Sequence, residues 1–336
     1  MTYNIYIFSI GKLYRKQNNV YFKPKDKEPK YLPIENIRNI FVMNRISFSY
    51  QAIKLLLDRG ILIHFYYFNE KKGIFYKLGT LYPREKNPAG IIHIKQALFH
   101  NDINKRTEIA LEILDAVKFN CIKVLEKFEE SKDIANYLRS FSVYSEFEKH
   151  KSSTQNLMDL IRGIEGNIWI KFLEGVDNIL KYFKIEKRTK RPPKNEANAI
   201  ISFCNSLLYS VVLSEIYRTH LDPTISFLHE PREKRFSLAL DMAEPFKPII
   251  TYRILIYLIN KGLINENHFV RGLDGILLNG YGRKIVIEEF ENRINETIKI
   301  KGKGKFKLIT FVRKQGYNLE RCLLENSKFE AFRLRY

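Results

Sequence analysis

The sequence predicts an α+β protein, with a small N-terminal β-sandwich-like domain followed by a larger, mainly α-helical domain. Two observations carry this prediction. Short β-branched and aromatic segments separated by turn signals fill the first 83 residues, and helical periodicity replaces them from about Ile91. The chain has 336 residues, of which 45% are hydrophobic, so it holds enough apolar material for two cores.

The N-terminal part alternates segments of strand character with turns. The strand segments are TYNIYIFS, NVYFKP, IRNIFVMN, ILIHFYYF and GIFYKLGTLYP. We predict one helix between these strands, with Ser49 capping its N-terminus and Gly60 following its C-terminus. We therefore expect a small β domain that contains one helix.

A change of composition marks the end of this domain. The segment PREKNPAG combines two prolines, a glycine and charges, as linkers do. Beyond it, TEIALEILDAVKFNCIKVLEKF repeats apolar residues every three or four positions. We expect a first domain at residues 1–83, a linker at 84–90 and a helical second domain at 91–336.

The charge of the chain limits its partners. Lys plus Arg number 57 and Asp plus Glu number 37, a formal net charge of +20, which favours a polyanion such as nucleic acid or an anionic membrane surface.

The apolar runs are short or interrupted and the N-terminus lacks a secretory pattern, so we expect a cytoplasmic protein with no membrane partner. The cysteines Cys121, Cys204 and Cys322 are isolated, which indicates packing roles in a reducing compartment.

Two acids stand close together in FSLALDMAEPFKP. Asp241 and Glu244 are three residues apart, so a short helix would point both carboxylates the same way. Two adjacent like charges need a cation. Arg232, Lys234 or Arg235 could supply it, which would make the segment an ordinary charged surface, or a bound metal could do so.

A third acid, Glu165, lies inside a helix predicted over residues 153–183. Its neighbours on the helix surface are Ile161, Ile168, Trp169 and Phe172. An ionised carboxylate in such surroundings is unfavourable without a partner, and Arg162 is the simplest structural partner. Gly163 and Gly166 cost helix propensity, yet they would let another backbone or a ligand come close.

Two basic stretches could contact phosphate. KIEKRTKRPPK, residues 184–194, has six basic residues and one acid. KIKGKGKFK, residues 299–307, would place five lysines on one side of a strand. Each stretch could equally be a solvated loop, and the second could be a hairpin edge guarded by lysines. A zinc-protease helix is disfavoured, because Pro231 follows His229-Glu230 and breaks the helix.

Four motifs then carry a family resemblance: IRGIEGNIW, RTKRPPKNEANAIISFCNSLL, LDPTISFLHE and FSLALDMAEPFKP. In this order they resemble those of the CRISPR-associated spacer-integration endonucleases, the first of the numbered Cas proteins. The resemblance implies a metal-dependent DNA endonuclease and integrase with a helical catalytic domain. It places the metal ligands on Glu165, His229 and Glu244, with Asp241 as an accompanying acid.

The resemblance also implies cofactors and partners. Two carboxylates and one imidazole suit Mn²⁺ or Mg²⁺. The expected reaction inserts protospacer DNA into a CRISPR array, by attack of a 3′-hydroxyl on a phosphodiester. The expected assembly is a homodimer with a small second CRISPR adaptation protein. We expect the β domain to form the dimer interface, because a small sheet domain exposes edges and aromatic faces that a partner can cover. Ser226 and Lys247 depart from the family pattern, which commonly has glycine and arginine at these positions.

The candidate DNA contacts are basic residues near the motifs. They are Lys187, Arg188, Lys190, Arg191, Lys194, Arg235 and Lys247. Two other functions remain open on the sequence: a catalytically silent, basic DNA-binding scaffold whose acids are structural, and a basic peripheral membrane or RNA-binding protein. Chelation by EDTA would separate the enzyme from the scaffold.

Overall fold

The structure is a computed structural model that describes residues 3–83, 89–300 and 304–335. A strand-rich N-terminal region precedes a mainly helical region, so the predicted α+β class is confirmed. The chain forms two compact units. The first comprises Met1–Lys86, Thr189–Ala199 and Glu266–Arg283, and the second comprises Asn87–Arg188, Ile200–Asn265 and Lys284–Tyr336.

The N-terminal region holds eight strands, one α-helix and a 3₁₀ turn at Ile34–Asn36 among its described residues. The strands and the α-helix are β1 (Tyr3–Ile7), β2 (Gly11–Lys16), β3 (Asn19–Pro24), β4 (Lys30–Leu32), β5 (Ile37–Val42), β6 (Ile46–Phe48), α1 (Tyr50–Asp58), β7 (Leu62–Asn69) and β8 (Ile74–Leu81). Each predicted strand segment contains a strand, whereas β2, β4 and β6 were not predicted.

These strands form two four-stranded sheets, with the orders β1-β5-β7-β8 and β4-β3-β2-β6. In the first sheet β1, β5 and β7 are parallel and β8 is antiparallel to β7. In the second sheet β2 is antiparallel to β3 and parallel to β6. One core collects side chains from both sheets and from α1, among them Leu13, Val20, Ile40, Leu56 and Ile63. This shared core gives the region its sandwich-like character.

The predicted ends of α1 are confirmed. The Ser49 side chain accepts a hydrogen bond from the backbone N of Ala52 at 3.3 Å. Gly60, just after the helix, has a φ of 67°, the left-handed conformation that favours glycine after a C-terminus.

The rest of the chain is mainly helical. Its elements are α2 (Gly90–Asn101), α3 (Ile103–Leu125), α4 (Lys132–Ser140), α5 (Val143–His150), α6 (Leu157–Ile179), α7 (Glu196–Ile216), α8 (Ser237–Ala243), α9 (Arg253–Asn260), β9 (Phe269–Arg271), β10 (Ile276–Leu278), α10 (Gly280–Asn295), β11 (Thr297–Ile300), β12 (Gly304–Lys307) and α11 (Leu308–Glu325). A 3₁₀ turn at Glu244–Phe246 and a π-helical stretch at Pro248–Tyr252 connect α8 to α9.

Two later segments cluster with the N-terminal sheets in the first unit. The turn between β9 and β10 contacts the turn between β7 and β8, since the N of Leu273 donates to the O of Lys71 at 3.1 Å. A Cβ added at Gly73 would lie 2.3 Å from the O of Gly275, so this approach requires glycine. The predicted linker at 84–90 falls largely on residues 84–88, outside the described residues, and the domain boundary stays a prediction.

The second unit contains the long helices α3 and α6. Helix α6 begins after Asn156, whose side chain accepts from the N of Met158, and it is shorter than the predicted 153–183.

Among the described residues α7 is the one helix long and apolar enough to cross a membrane, and 78% of its apolar window is buried inside the structure. All three cysteines are free and buried, as packing residues are.

Candidate metal centre

Glu165 projects from the middle of α6 beside a buried apolar stripe. Ile161, Ile168 and Phe172 are at most 1% exposed, and the Glu165 residue itself is half-buried. Burial raises the pKa of the Glu165 carboxyl, and the nearby charge of Glu244 raises it further. The predicted pairing with Arg162 is wrong, because Arg162 forms its ion pair with Asp159 one turn earlier.

Asp241 is an internal hydrogen-bond acceptor. One oxygen, Oδ2, accepts from the backbone N of Phe227 at 2.6 Å and of Leu228 at 2.9 Å. The other, Oδ1, accepts from the backbone N of His229 at 3.0 Å and lies 2.7 Å from its ring Nδ1. Asp241 and Glu244 are 0% and 1% exposed, so the alternative of a solvated surface balanced by Arg232, Lys234 or Arg235 is wrong.

The contact with Asp241 sets the tautomer of His229. A carboxylate accepts and does not donate, so Nδ1 carries the proton and Nε2 is left for a ligand. Burial alone would lower the pKa of His229, but the hydrogen bond and charge of Asp241 outweigh it and raise the pKa. Nε2 lies 3.8 Å from Oε1 of Glu244.

Glu244 begins the 3₁₀ turn after α8 and has two different oxygens. Oε1 pairs with Nζ of Lys247, whereas Oε2 is buried and has no hydrogen-bond partner among the described residues. Nζ of Lys247 lies 5.7 Å from the ring centre of Trp169 and 5.2 Å from that of Tyr209. Burial opposes the charge on Lys247, but Glu244 prevails and raises the lysine pKa.

Glu165, His229 and Glu244 form one cluster of potential ligands. Each offers one ligand atom, and these atoms all lie within 4.8 Å of one another. The donor set fits Mn²⁺ or Mg²⁺, which accept carboxylate oxygens and, in the case of Mn²⁺, imidazole readily. The buried free oxygen of Glu244 fits as well, because an unpaired buried carboxylate oxygen is costly unless a cation satisfies it.

Hydrogen bonds from Ser226 and Arg106, and an ion pair of Arg106, hold the loop that carries His229. Ser226, at a position where the family commonly has glycine, is buried and donates its hydroxyl to the O of His229 at 2.5 Å. Arg106 on α3 donates to the O of Phe227 at 2.9 Å and pairs with Glu230 at 2.6 Å. Sequence reasoning missed Arg106, since nothing local marks a residue whose partners lie more than 120 positions away.

The residues predicted to contact DNA differ in exposure and in the partners of their side chains. Those exposed are Lys187, Lys190, Arg191 and Lys194, while Arg188 and Arg235 are half-buried. Arg188 donates to Oγ of Ser202 at 3.1 Å, and the charge of Lys247 is engaged by Glu244. In the antiparallel pair of β11 and β12, Lys299 lies opposite Lys305. Lys301 and Lys303, which also belong to the predicted lysine alternation, lie outside the described residues.

Comparison with known proteins places these residues in a family context. The family model described as CRISPR associated protein Cas1 matches residues 5–292. A CRISPR-associated endonuclease Cas1 from Nanoarchaeum equitans is 56% identical over 332 residues, which cover 99% of each chain.

Solved structures agree. A CAS1 protein from Thermotoga maritima superposes with a TM-score of 0.83 at 35% identity, covering 98% of this chain and 100% of that one. A casposase bound to integration product has a TM-score of 0.79 at 19% identity, covering 98% and 93%, which shows a shared fold.

Proposed function

We propose, because the chain belongs to the family of CRISPR-associated protein Cas1, that it is a divalent-metal-dependent DNA endonuclease and integrase. In this proposal it inserts protospacer DNA into a CRISPR array, by attack of a 3′-hydroxyl on a phosphodiester. The observation that carries the proposal is that Glu165, His229 and Glu244 offer ligand atoms within 4.8 Å of one another, while one oxygen of Glu244 is buried with no hydrogen-bond partner among the described residues.

Each residue has a distinct part in this proposal. Glu165, Glu244 and Nε2 of His229 would hold Mn²⁺ or Mg²⁺, which when bound supplies Lewis-acid polarisation of the scissile phosphodiester. Asp241 keeps the proton on Nδ1, so that Nε2 points its lone pair into the cluster. Lys247 adds a fixed positive charge beside Glu244, which lowers the repulsion between the two carboxylates.

The charge and the family support the proposed partners. A formal charge of +20 favours DNA, which the exposed Lys187, Lys190, Arg191 and Lys194 would contact through phosphates. A homodimer and a small second CRISPR adaptation protein complete the proposed assembly, as the family resemblance implies. The proposed location is cytoplasmic, as expected from the short and interrupted apolar runs of the sequence.

Alanine substitutions test the site. We expect Glu165→Ala, His229→Ala and Glu244→Ala each to lower strand transfer by at least about 100-fold, because the three ligands act as a unit. Double variants should be hardly worse than single ones. The assay uses Mn²⁺ with branched DNA and a supercoiled plasmid, and thermal melting confirms that each variant is folded.

Asp159→Ala is the matched control, since Asp159 lies on the same helix as Glu165 but is exposed and pairs with Arg162. It should keep strand transfer. Folded variants at Glu165, His229 and Glu244 that retain nearly normal strand transfer would remove the case for this enzyme. The silent scaffold is the competing function, and it predicts DNA binding in the presence and absence of EDTA with no metal-dependent strand transfer in either.

A further inference from the structure

The segment that carries Glu244 packs against the C-terminal end of the chain. We define the C-terminal segment as residues 329–334, which follow α11. Phe329, Ala331 and Leu334 in this segment are at most 6% exposed. The Cas1 family model ends at residue 292, so these contacts involve residues beyond its match.

Aromatic stacking makes the first connection. The ring of Phe332 stacks on that of Phe246, with centres 4.8 Å apart and planes 7° from parallel. Phe246 is fully buried and lies two residues after Glu244, in the same 3₁₀ turn. The other neighbour of Phe332 is the ring of Phe311 on α11, at 5.0 Å.

Two buried amides make the second connection. Asn120 on α3 donates from Nδ2 to the O of Pro245 at 2.7 Å and to the O of Phe332 at 3.0 Å. Gln315 on α11 donates from Nε2 to the O of Met242 at 3.0 Å and accepts from the N of Phe332 at 2.8 Å. Both amides are at most 2% exposed, so each joins the two segments where water cannot replace it.

The segment is also fixed from the side of α3. Arg333 pairs with Glu112 at 2.6 Å and with Asp115 at 2.7 Å. Oε1 of Glu112 also accepts from the N of Ala331 at 3.0 Å. The C-terminal segment is therefore tied to a long helix on one side and to the residues around Glu244 on the other.

These contacts share one feature: they reach Met242, Pro245 and Phe246, the residues on both sides of Glu244. None of them involves Oε2 of Glu244, which has no hydrogen-bond partner among the described residues. We propose that Phe332, Asn120 and Gln315 are positioning residues, which hold the backbone around Glu244 so that its carboxylate meets Glu165 and His229 at ligand distance. This inference rests on the proposed metal-dependent function. A ligand misplaced by about 1 Å loses much of its value to a metal, so the effect should appear as metal affinity.

The test measures the Kd for Mn²⁺ from the electron paramagnetic resonance of free Mn²⁺, using the full chain. We expect Phe332→Ala to raise this Kd by about 10- to 100-fold, the range found when residues that support metal ligands are changed. Phe332→Tyr keeps the stacked ring and should restore an affinity near that of the wild type. Strand transfer by Phe332→Ala should recover partly at high Mn²⁺ concentration.

Leu138→Ala is the control for simple loss of stability. Leu138 is fully buried on α4, which packs near Gly175, ten residues and about 15 Å along α6 from Glu165. It should lower the melting temperature without changing the Kd. Should Phe332→Ala not fold, Gln315→Met removes both amide contacts at similar volume and is expected to weaken Mn²⁺ binding in the same way.

Each outcome decides the matter. Wild-type affinity in folded Phe332→Ala, or an equal loss of affinity in Leu138→Ala, would refute the positioning role and leave the proposed function intact. If the wild-type chain itself bound no Mn²⁺, the proposed metal-dependent function would fail first.

Discussion

At the scale of single residues, Asp241 and Glu244 show how two buried carboxylates three positions apart take different roles. Asp241 uses both oxygens for hydrogen bonds to the backbone of residues 227–229 and to the ring of His229. Glu244 keeps one oxygen without a partner among the described residues. Asp241 is therefore suited to hold the His229 loop, and Glu244 to bind a cation.

This difference predicts different results for the two alanine variants. Asp241→Ala leaves three backbone N–H groups without their acceptor, and for the two buried ones, of Phe227 and Leu228, the cost is about 1–3 kcal/mol each. We expect a clear fall in melting temperature and a partial loss of strand transfer. Glu244→Ala should nearly abolish strand transfer with a smaller fall in melting temperature, and equal behaviour of the two variants by these measurements would contradict the assignment.

At the scale of elements, α6 has open space on one part of its surface and close packing on another. A Cβ added at Gly163 or Gly166 would have no neighbour within 4 Å, so no other backbone comes close to these glycines in the described structure. A Cβ added at Gly175 would lie 2.9 Å from two side-chain carbons of Leu125 on α3, which is fully buried.

Alanine at these positions should therefore change stability unequally. We expect Gly163→Ala to raise the free energy of unfolding by about 0.5–1 kcal/mol, because alanine is the better helix former and meets no neighbour. Gly175→Ala should gain less or lose stability, since overpacking costs about 1–3 kcal/mol. Chemical denaturation of both variants measures the difference, and a larger gain at Gly175 would show that the packing of α3 on α6 is looser than described.

At the scale of the whole molecule, the first unit has a strand, β8, whose edge and apolar side chains a second copy of the chain could cover. β8 ends the order β1-β5-β7-β8, so one of its edges has no strand neighbour among the described residues. Tyr76, Leu78 and Leu81 on it are 44%, 59% and 37% exposed. We expect the homodimer to form through this β domain, because pairing would cover the edge and its apolar side chains.

A lysine at the most exposed of these positions tests the interface. Leu78→Lys should shift the chain from dimer toward monomer in sedimentation velocity, because a charge would have to be buried at the interface. Tyr50→Lys is the control, since Tyr50 is 73% exposed at the start of α1 and not on β8. A Leu78→Lys protein that stays as dimeric as the wild type would place the interface elsewhere.

The sequence alone determined the class of the fold, since apolar periodicity and end signals such as Ser49 act over a few residues. Through the family resemblance, its motifs also predicted Glu165, His229 and Glu244 as metal ligands. Only the tertiary structure decided that Asp241 is an internal acceptor, that Arg162 pairs with Asp159, and that the C-terminal segment packs against the residues around Glu244.

The physical reason is the distance along the chain between partners. Asn120 meets Pro245 and Phe332, which are 125 and 212 positions away. Periodicity reports which side of an element is apolar, but it does not report which distant atom lies against that side. A buried polar side chain is marked in the sequence only by its type, and its role is set by the donor or acceptor that folding brings to it.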